Sequence, residues 1–164
     1  MAFTVPRFKE AGEAEIIESL LAVVHRDMKL ALDYFYVADA LPDFAVMTDG
    51  DADIFSYPLL VLGVEKMTSR ENESGEWLEQ TLTVGAGIVV NGTSLKVVKG
   101  KARKYVRAFK EVIRSASDAD LLPPSSQVLN CSIDIDHQYL RHGTKDADFL
   151  QPVEFSIQFT FGET

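Results

Sequence analysis

The stretch Val153-Glu154-Phe155-Ser156-Ile157-Gln158-Phe159-Thr160-Phe161 alternates apolar and polar residues without a break. Successive side chains of an extended chain point to opposite sides, so this run reads as a strand with one buried and one wet face. Upstream, Leu129, Cys131, Ile133, Ile135 and Tyr139 alternate in the same way with Asn130, Ser132, Asp134, Asp136 and Gln138. Two such strands form an antiparallel pair, and their common apolar face requires a second layer to cover it.

That layer is legible in two helical stretches. From Ser94 to Ala116, residues Val98, Ala102, Tyr105, Phe109, Val112 and Ala116 recur at helical steps and make one core stripe. From Gly12 to Tyr34, Ile16, Ile17, Leu20, Leu21, Val24, Met28 and Ala31 do the same. Glu13, Glu15 and Glu18 precede Arg26 and Lys29, an order that suits a helix dipole. Pro42 forbids continuation, and Asp39 to Asp53 reads as an acidic loop. Two further strands lie between the helices. Ile54 to Glu65 contains the unbroken run Leu59-Leu60-Val61-Leu62, which predicts cover on both faces. Trp77 to Val90 alternates Leu78, Leu82, Val84, Ala86, Ile88 and Val90, and Asn91-Gly92 reads as the turn that ends it. Lys66 to Glu76 is expected to be a mobile polar hairpin tip, and Pro123-Pro124 to close the loop after the second helix. The expected fold is α+β: two helices on one face of a mainly antiparallel sheet, in the order helix-strand-strand-helix-strand-strand. Residues 1–164 are expected to form one domain, with 1–11 an N-terminal arm and 12–162 the core.

Bulk composition narrows the function classes. With 164 residues, 46% of them hydrophobic and 25% charged, the chain is large enough to bury a core without staples. A single cysteine, Cys131, forms no internal disulfide. The N-terminus lacks the apolar run of a signal peptide, and the longest apolar run, Pro58 to Val64, is too short to span a bilayer. Cytosolic synthesis and a product with no membrane role are expected.

Candidate chemical sites fail on spacing. Cys131 and His137 would lie ~20 Å apart along a strand, with His142 beyond and no fourth zinc ligand. Asp49, Asp51 and Asp53 imitate the start of a calcium loop, but Ile54 and Leu60 stand where glycine and glutamate are needed. Gly85-Ala86-Gly87 has neither the third glycine nor the helix of a dinucleotide turn, and is expected to mark a bulge or a close backbone approach. Asp134, Asp136 and Glu154 share the polar sheet face without an apolar neighbour to raise one pKa for acid–base work. No nucleophile elbow accompanies the serines. The expectation is no catalytic residue, no cofactor and no metal.

Charge is the informative quantity. The chain carries −9 overall, yet Lys96 to Arg114 holds eight Lys/Arg and one acid, so the remainder carries −16. Lys96, Lys99, Arg103, Arg107, Lys110 and Arg114 fall at steps of three or four and form a ridge on a face apart from the core stripe. One reading is a solvated helix face. The other is a contact surface, with Lys99, Arg103, Arg107, Lys110 and Arg114 meeting the acidic loop residues Asp49, Asp51 and Asp53 of a neighbouring copy. A patch that meets its opposite elsewhere on the same molecule makes head-to-tail contacts that close into rings. The acidic total favours a protein partner over nucleic acid.

Four segments together carry a family resemblance. They are the helix with Ile16-Ile17 and Leu20-Leu21, the strand Tyr57-Pro58-Leu59-Leu60-Val61-Leu62, and the helix with Arg103-Lys104-Tyr105-Val106-Arg107-Ala108. The fourth is the final strand Val153-Glu154-Phe155-Ser156-Ile157-Gln158-Phe159. Over residues 12–162 the chain resembles the tail terminator (tail-completion) proteins of long-tailed bacteriophages. The resemblance implies a non-enzymatic virion protein, assembled in the host cytoplasm and placed at the tail–neck junction. It implies a homo-hexameric ring that caps the tail tube, ends tube polymerisation and presents a joining surface to the head–tail connector or neck protein. Expected partners are other copies of itself, the tail tube protein, the connector and genomic DNA passing through the ring. Phage head-closure or neck proteins are similar, and a nucleic-acid-binding module using helix 94–116 is the further alternative. The loops Asp39 to Asp53, Lys66 to Glu76 and Leu140 to Gln151 are the expected axial contacts.

Overall fold

Alternation, helical periodicity and the break at Pro42 all reappear in three dimensions. A computed structural model describes residues 2–4, 12–50, 56–71, 73–76, 78–116, 120 and 128–163. Helix α1 spans Glu13–Tyr36 and runs into a single 3-10 turn, Val37–Asp39. Strands β1 (Val46–Thr48), β2 (Leu59–Glu71) and β3 (Leu78–Gly92) follow, then helix α2 (Leu95–Ser115). Strands β4 (Val128–Tyr139), β5 (Gly143–Lys145) and β6 (Asp148–Glu163) complete the chain. The sheet order is β1-β2-β3-β6-β4, with β5 paired to the beginning of β6. All pairings are antiparallel except β1 with β2.

Both helices lie on one face of this sheet. The outermost helix, α1, packs against α2 and β2, while α2 lies over β3 and β6 and reaches β4. Its start is capped by Ser94, whose hydroxyl accepts from the Val97 amide at 3.2 Å. The expected stripe residues Val98, Ala102, Tyr105, Phe109 and Val112 are buried, and Phe109 meets Phe155 edge-on at 4.8 Å between centroids. From β6, Val153, Phe155, Ile157, Phe159 and Phe161 enter the same core, as their alternation requires. The Tyr105 hydroxyl donates to the Pro42 carbonyl, which ties the chain after α1 to α2, and burial pushes its pKa up.

The α+β class and the two-helix layer match the sequence reading; several boundaries do not. Part of the loop Asp39 to Asp53 is β1, too short for periodicity to reveal. The hairpin β5–β6 occupies much of Leu140 to Gln151; its turn residues Asp146 and Ala147 have φ of 51° and 67°. Such turns favour Asn-Gly, so Asp-Ala hides the hairpin from a sequence search. Lys66 to Glu71 is not a hairpin tip but strand, paired from Lys66↔Thr83 to Glu71↔Leu78. β3 does end at Asn91-Gly92, but both residues are still paired, with Leu150 and Phe149, and so belong to the strand rather than to a turn after it. Gly85 to Gly87 pairs regularly with Val61 to Gly63, and the expected bulge sits instead on β2, between Val64 and Lys66. Arg26 and Lys29 do not face the end of α1, whose last turn has no basic residue. They form local ion pairs, Arg26 with Asp27 and Asp120, and Lys29 with Asp33. Residues 51–55, Trp77 and Pro123-Pro124 lie outside the described residues, as does most of the expected arm 1–11.

Candidate assembly interface

Helix α2 buries one side against the sheet, so its basic positions must point away from it. Lys96, Lys99, Arg103, Arg107 and Arg114 are exposed and Lys110 is half-buried. The ridge is held in place at two points. The Arg107 guanidinium lies 4.1 Å from the centroid of the Phe35 ring, a cation–π contact with the last turn of α1. On the opposite flank, Lys110 Nζ lies 3.2 Å from His137 Nδ1 on β4. Partial burial, then the Lys110 charge, holds His137 below its ordinary pKa, opposed by Asp136. Lys99 and Arg103 line a cleft with Tyr139 and Gln151. Two further cations, absent from the expected ridge, serve the fold. Lys104 pairs with Asp39 at 3.0 Å, and Lys101 donates to the Asn91 carbonyl at 3.2 Å.

Neither α1 nor α2 lies on the other face of the sheet. Strict alternation puts Val61, Gly63, Gly85, Gly87, Val89 and Pro152 there, and the register sets them side by side: Gly63↔Gly85, Val61↔Gly87, Gly87↔Glu154 and Val89↔Pro152. The three glycines lower the floor, so a recess of about 490 Å³ opens among these strands, with Leu140 on its wall. Asp49, Glu65 and Glu154 are its charged lining residues, all acidic. The Glu65 carboxylate reaches over Gly85, where a built Cβ would come within 2.6 Å of Oε1. Beyond the recess, Asp136 stands opposite Ser156 and Asp134 opposite Gln158, so the expected acidic face of β4 and β6 is present.

Of the acidic loop residues expected to form the interface, Asp49 is exposed at the recess, whereas Asp51 and Asp53 lie outside the described residues. Within one chain Asp49 and the ridge are on opposite sides of the sheet. Sequence reasoning placed Glu154 on the polar sheet face but missed Glu65 and the glycine floor, because only the register shows that Gly63, Gly85 and Gly87 are neighbours. Among the described residues, no group of three or more His, Cys, Asp and Glu is placed to hold a metal ion. No described helix is long and apolar enough to cross a membrane.

Comparison with known proteins gives a distant structural likeness. A chain of the virion of a native gene transfer agent (GTA) particle superposes with a TM-score of 0.46 at 14% identity, over 86% of this chain and 98% of its own length. No family model matches the sequence, and no curated protein matches it.

Proposed function

We propose that this chain is a structural virion protein that joins copies of itself head to tail into a ring, caps a phage tail tube with it, ends tube polymerisation and offers a surface for head joining. The observation that carries the ring is the placement of opposite charge on opposite faces. The basic ridge of α2 points out from the helix layer, and Asp49, Glu65 and Glu154 line the recess behind the sheet. Self-complementary patches on different sides of one molecule repeat around an axis rather than pairing two copies face to face.

The ends of the strands suit axial partners. Register puts the tip between β2 and β3 at one end of the sheet, beside the end of β6. Asp39 to Thr48 and the β5 hairpin lie at the other end, near the start of β2 and the end of β3. β3 alone has 15 residues and spans ~50 Å. A tube below and a connector above would therefore meet different loops, leaving both faces free for neighbouring copies. The tail role rests on the four segments that resemble tail terminators; the two-faced charge supports self-assembly only.

The test is electron microscopy of a lysate in which only this gene of the parent phage is disrupted. Filled heads beside tails of abnormal length are expected. Normal-length tails beside free heads would move the protein to the neck, and intact virions would refute the proposal.

A further inference from the structure

Helix α1 is covered on one side as far as Met28 and Leu32, but one edge of its apolar arc is not covered along its whole length. Ile16, Val23, Leu30 and Val37 recur every seven residues along one line. The first two are 2% exposed, yet Leu30 is 66% and Val37 73% exposed, and Tyr34 beside them 82%. An apolar core line thus runs on into solvent over the last two turns. Scattered apolar residues on a surface are ordinary, but a continuous stripe with large side chains marks a contact.

We infer that this stripe of Leu30, Tyr34 and Val37 seats in the glycine-floored recess behind the sheet of a second copy of the chain. Three independent features select a second copy as the occupant. The first is shape: the stripe projects from the helix layer, and the recess has backbone instead of side chains at Gly63 and Gly87. A Cβ built at either of these glycines meets nothing within 4 Å, so the fold itself does not require glycine there. The second is charge. Tyr34 packs edge-on against Phe35 at 5.0 Å, and Phe35 carries Arg107, so one cation of the ridge stands beside the stripe, while the nearby acids of α1, Asp27 and Asp33, are each paired with a cation, Arg26 and Lys29. The recess it would enter is lined by Asp49, Glu65 and Glu154 and, among the described residues, by no cation. The third is position. Stripe and recess lie on opposite faces of the molecule, so each copy offers one of each and the contact propagates from copy to copy.

This inference deepens the ring reading and rests on it only for the end use of the contact. Its test is disulfide trapping with two purified full-length proteins, both carrying Cys131→Ser. One bears Tyr34→Cys and the other Gly87→Cys. Mixed under mild oxidation, they should give roughly tenfold more linked dimer than either protein alone. Equal yields in all three samples, or no linkage, would overturn the inference. Adding Gly63→Glu to the Gly87→Cys protein puts a side chain into the recess at a position where a built Cβ meets nothing within 4 Å, and should remove the excess while the urea midpoint stays that of the Gly87→Cys protein; an excess that survives places the contact elsewhere. The lysate experiment remains separate. Trapping with intact virions would keep the contact and sink the tail role, whereas no trapping with overlong tails would do the reverse.

Discussion

Two glycines of β3 show how differently the same residue can be used. At Gly92 a built Cβ would come within 3.0 Å of the Val98 side chain and 3.1 Å of its backbone, so the strand end and α2 approach as closely as glycine allows. Gly92→Ala is expected to destabilise by about 1–3 kcal/mol, the usual range for forcing atoms into a packed site. At Gly87 nothing lies within 4 Å, and Gly87→Ala is expected to be neutral or to stabilise by about 0.4–1 kcal/mol through the unfolded chain. Urea unfolding of the two variants checks both signs; equal destabilisation would mean that Gly87 also serves packing. Neither role was legible in the sequence, where Asn91-Gly92 reads as a turn and Gly85-Ala86-Gly87 as a bulge or a close backbone approach. What separates them is which neighbour lies above each Cα, and that neighbour is remote in the chain.

Elements divide into those whose boundaries local chemistry sets and those set by pairing. Ser94 caps α2 where a helix start was expected, and Ser94→Ala should cost about 1 kcal/mol in thermal or urea unfolding. Strand β2, by contrast, continues through the polar residues Lys66 to Glu71 because β3 pairs with them, and an ion pair of Arg70 with Glu79 at 2.9 Å crosses that extension. At the sheet edge, β4 meets α2 through His137 and Lys110. The folded protein holds His137 below its ordinary 6.5, so the unfolded chain binds more protons between the two values. The stability from this contact is therefore complete above the ordinary value and is lost as pH falls through the lowered one. Urea midpoints measured from about pH 8 down to about pH 5 should fall more for the native protein than for His137→Gln. Parallel curves would show that His137 does not contribute to the pH response.

For the whole molecule, segregation of charge matters more than its total. If the stripe seats beside acidic residues of the next copy, Arg107→Glu on the copy bearing Tyr34→Cys should lower the trapped yield. Glu154→Lys on the copy bearing Gly87→Cys should restore part of it, since the two substitutions exchange signs across one contact. Added salt should weaken the native pair, because exposed charges are screened beyond ~8 Å at physiological ionic strength. A yield that ignores both the swap and salt would leave the contact apolar alone. The sequence by itself determined the class of the fold and the outward ridge. Periods of two and of about 3.6 residues are local geometry, and they assign each side chain to a face before any packing occurs. Only the tertiary structure decided what the uncovered faces are. Strand register brought Gly63, Gly85 and Gly87 together from two strands and set Glu65 and Glu154 around them. The placement of α1 left Leu30, Tyr34 and Val37 bare, although Val23 and Ile16, one and two heptads before Leu30, are buried. Recesses and stripes of this kind are properties of neighbours distant in the chain, and no local period encodes them.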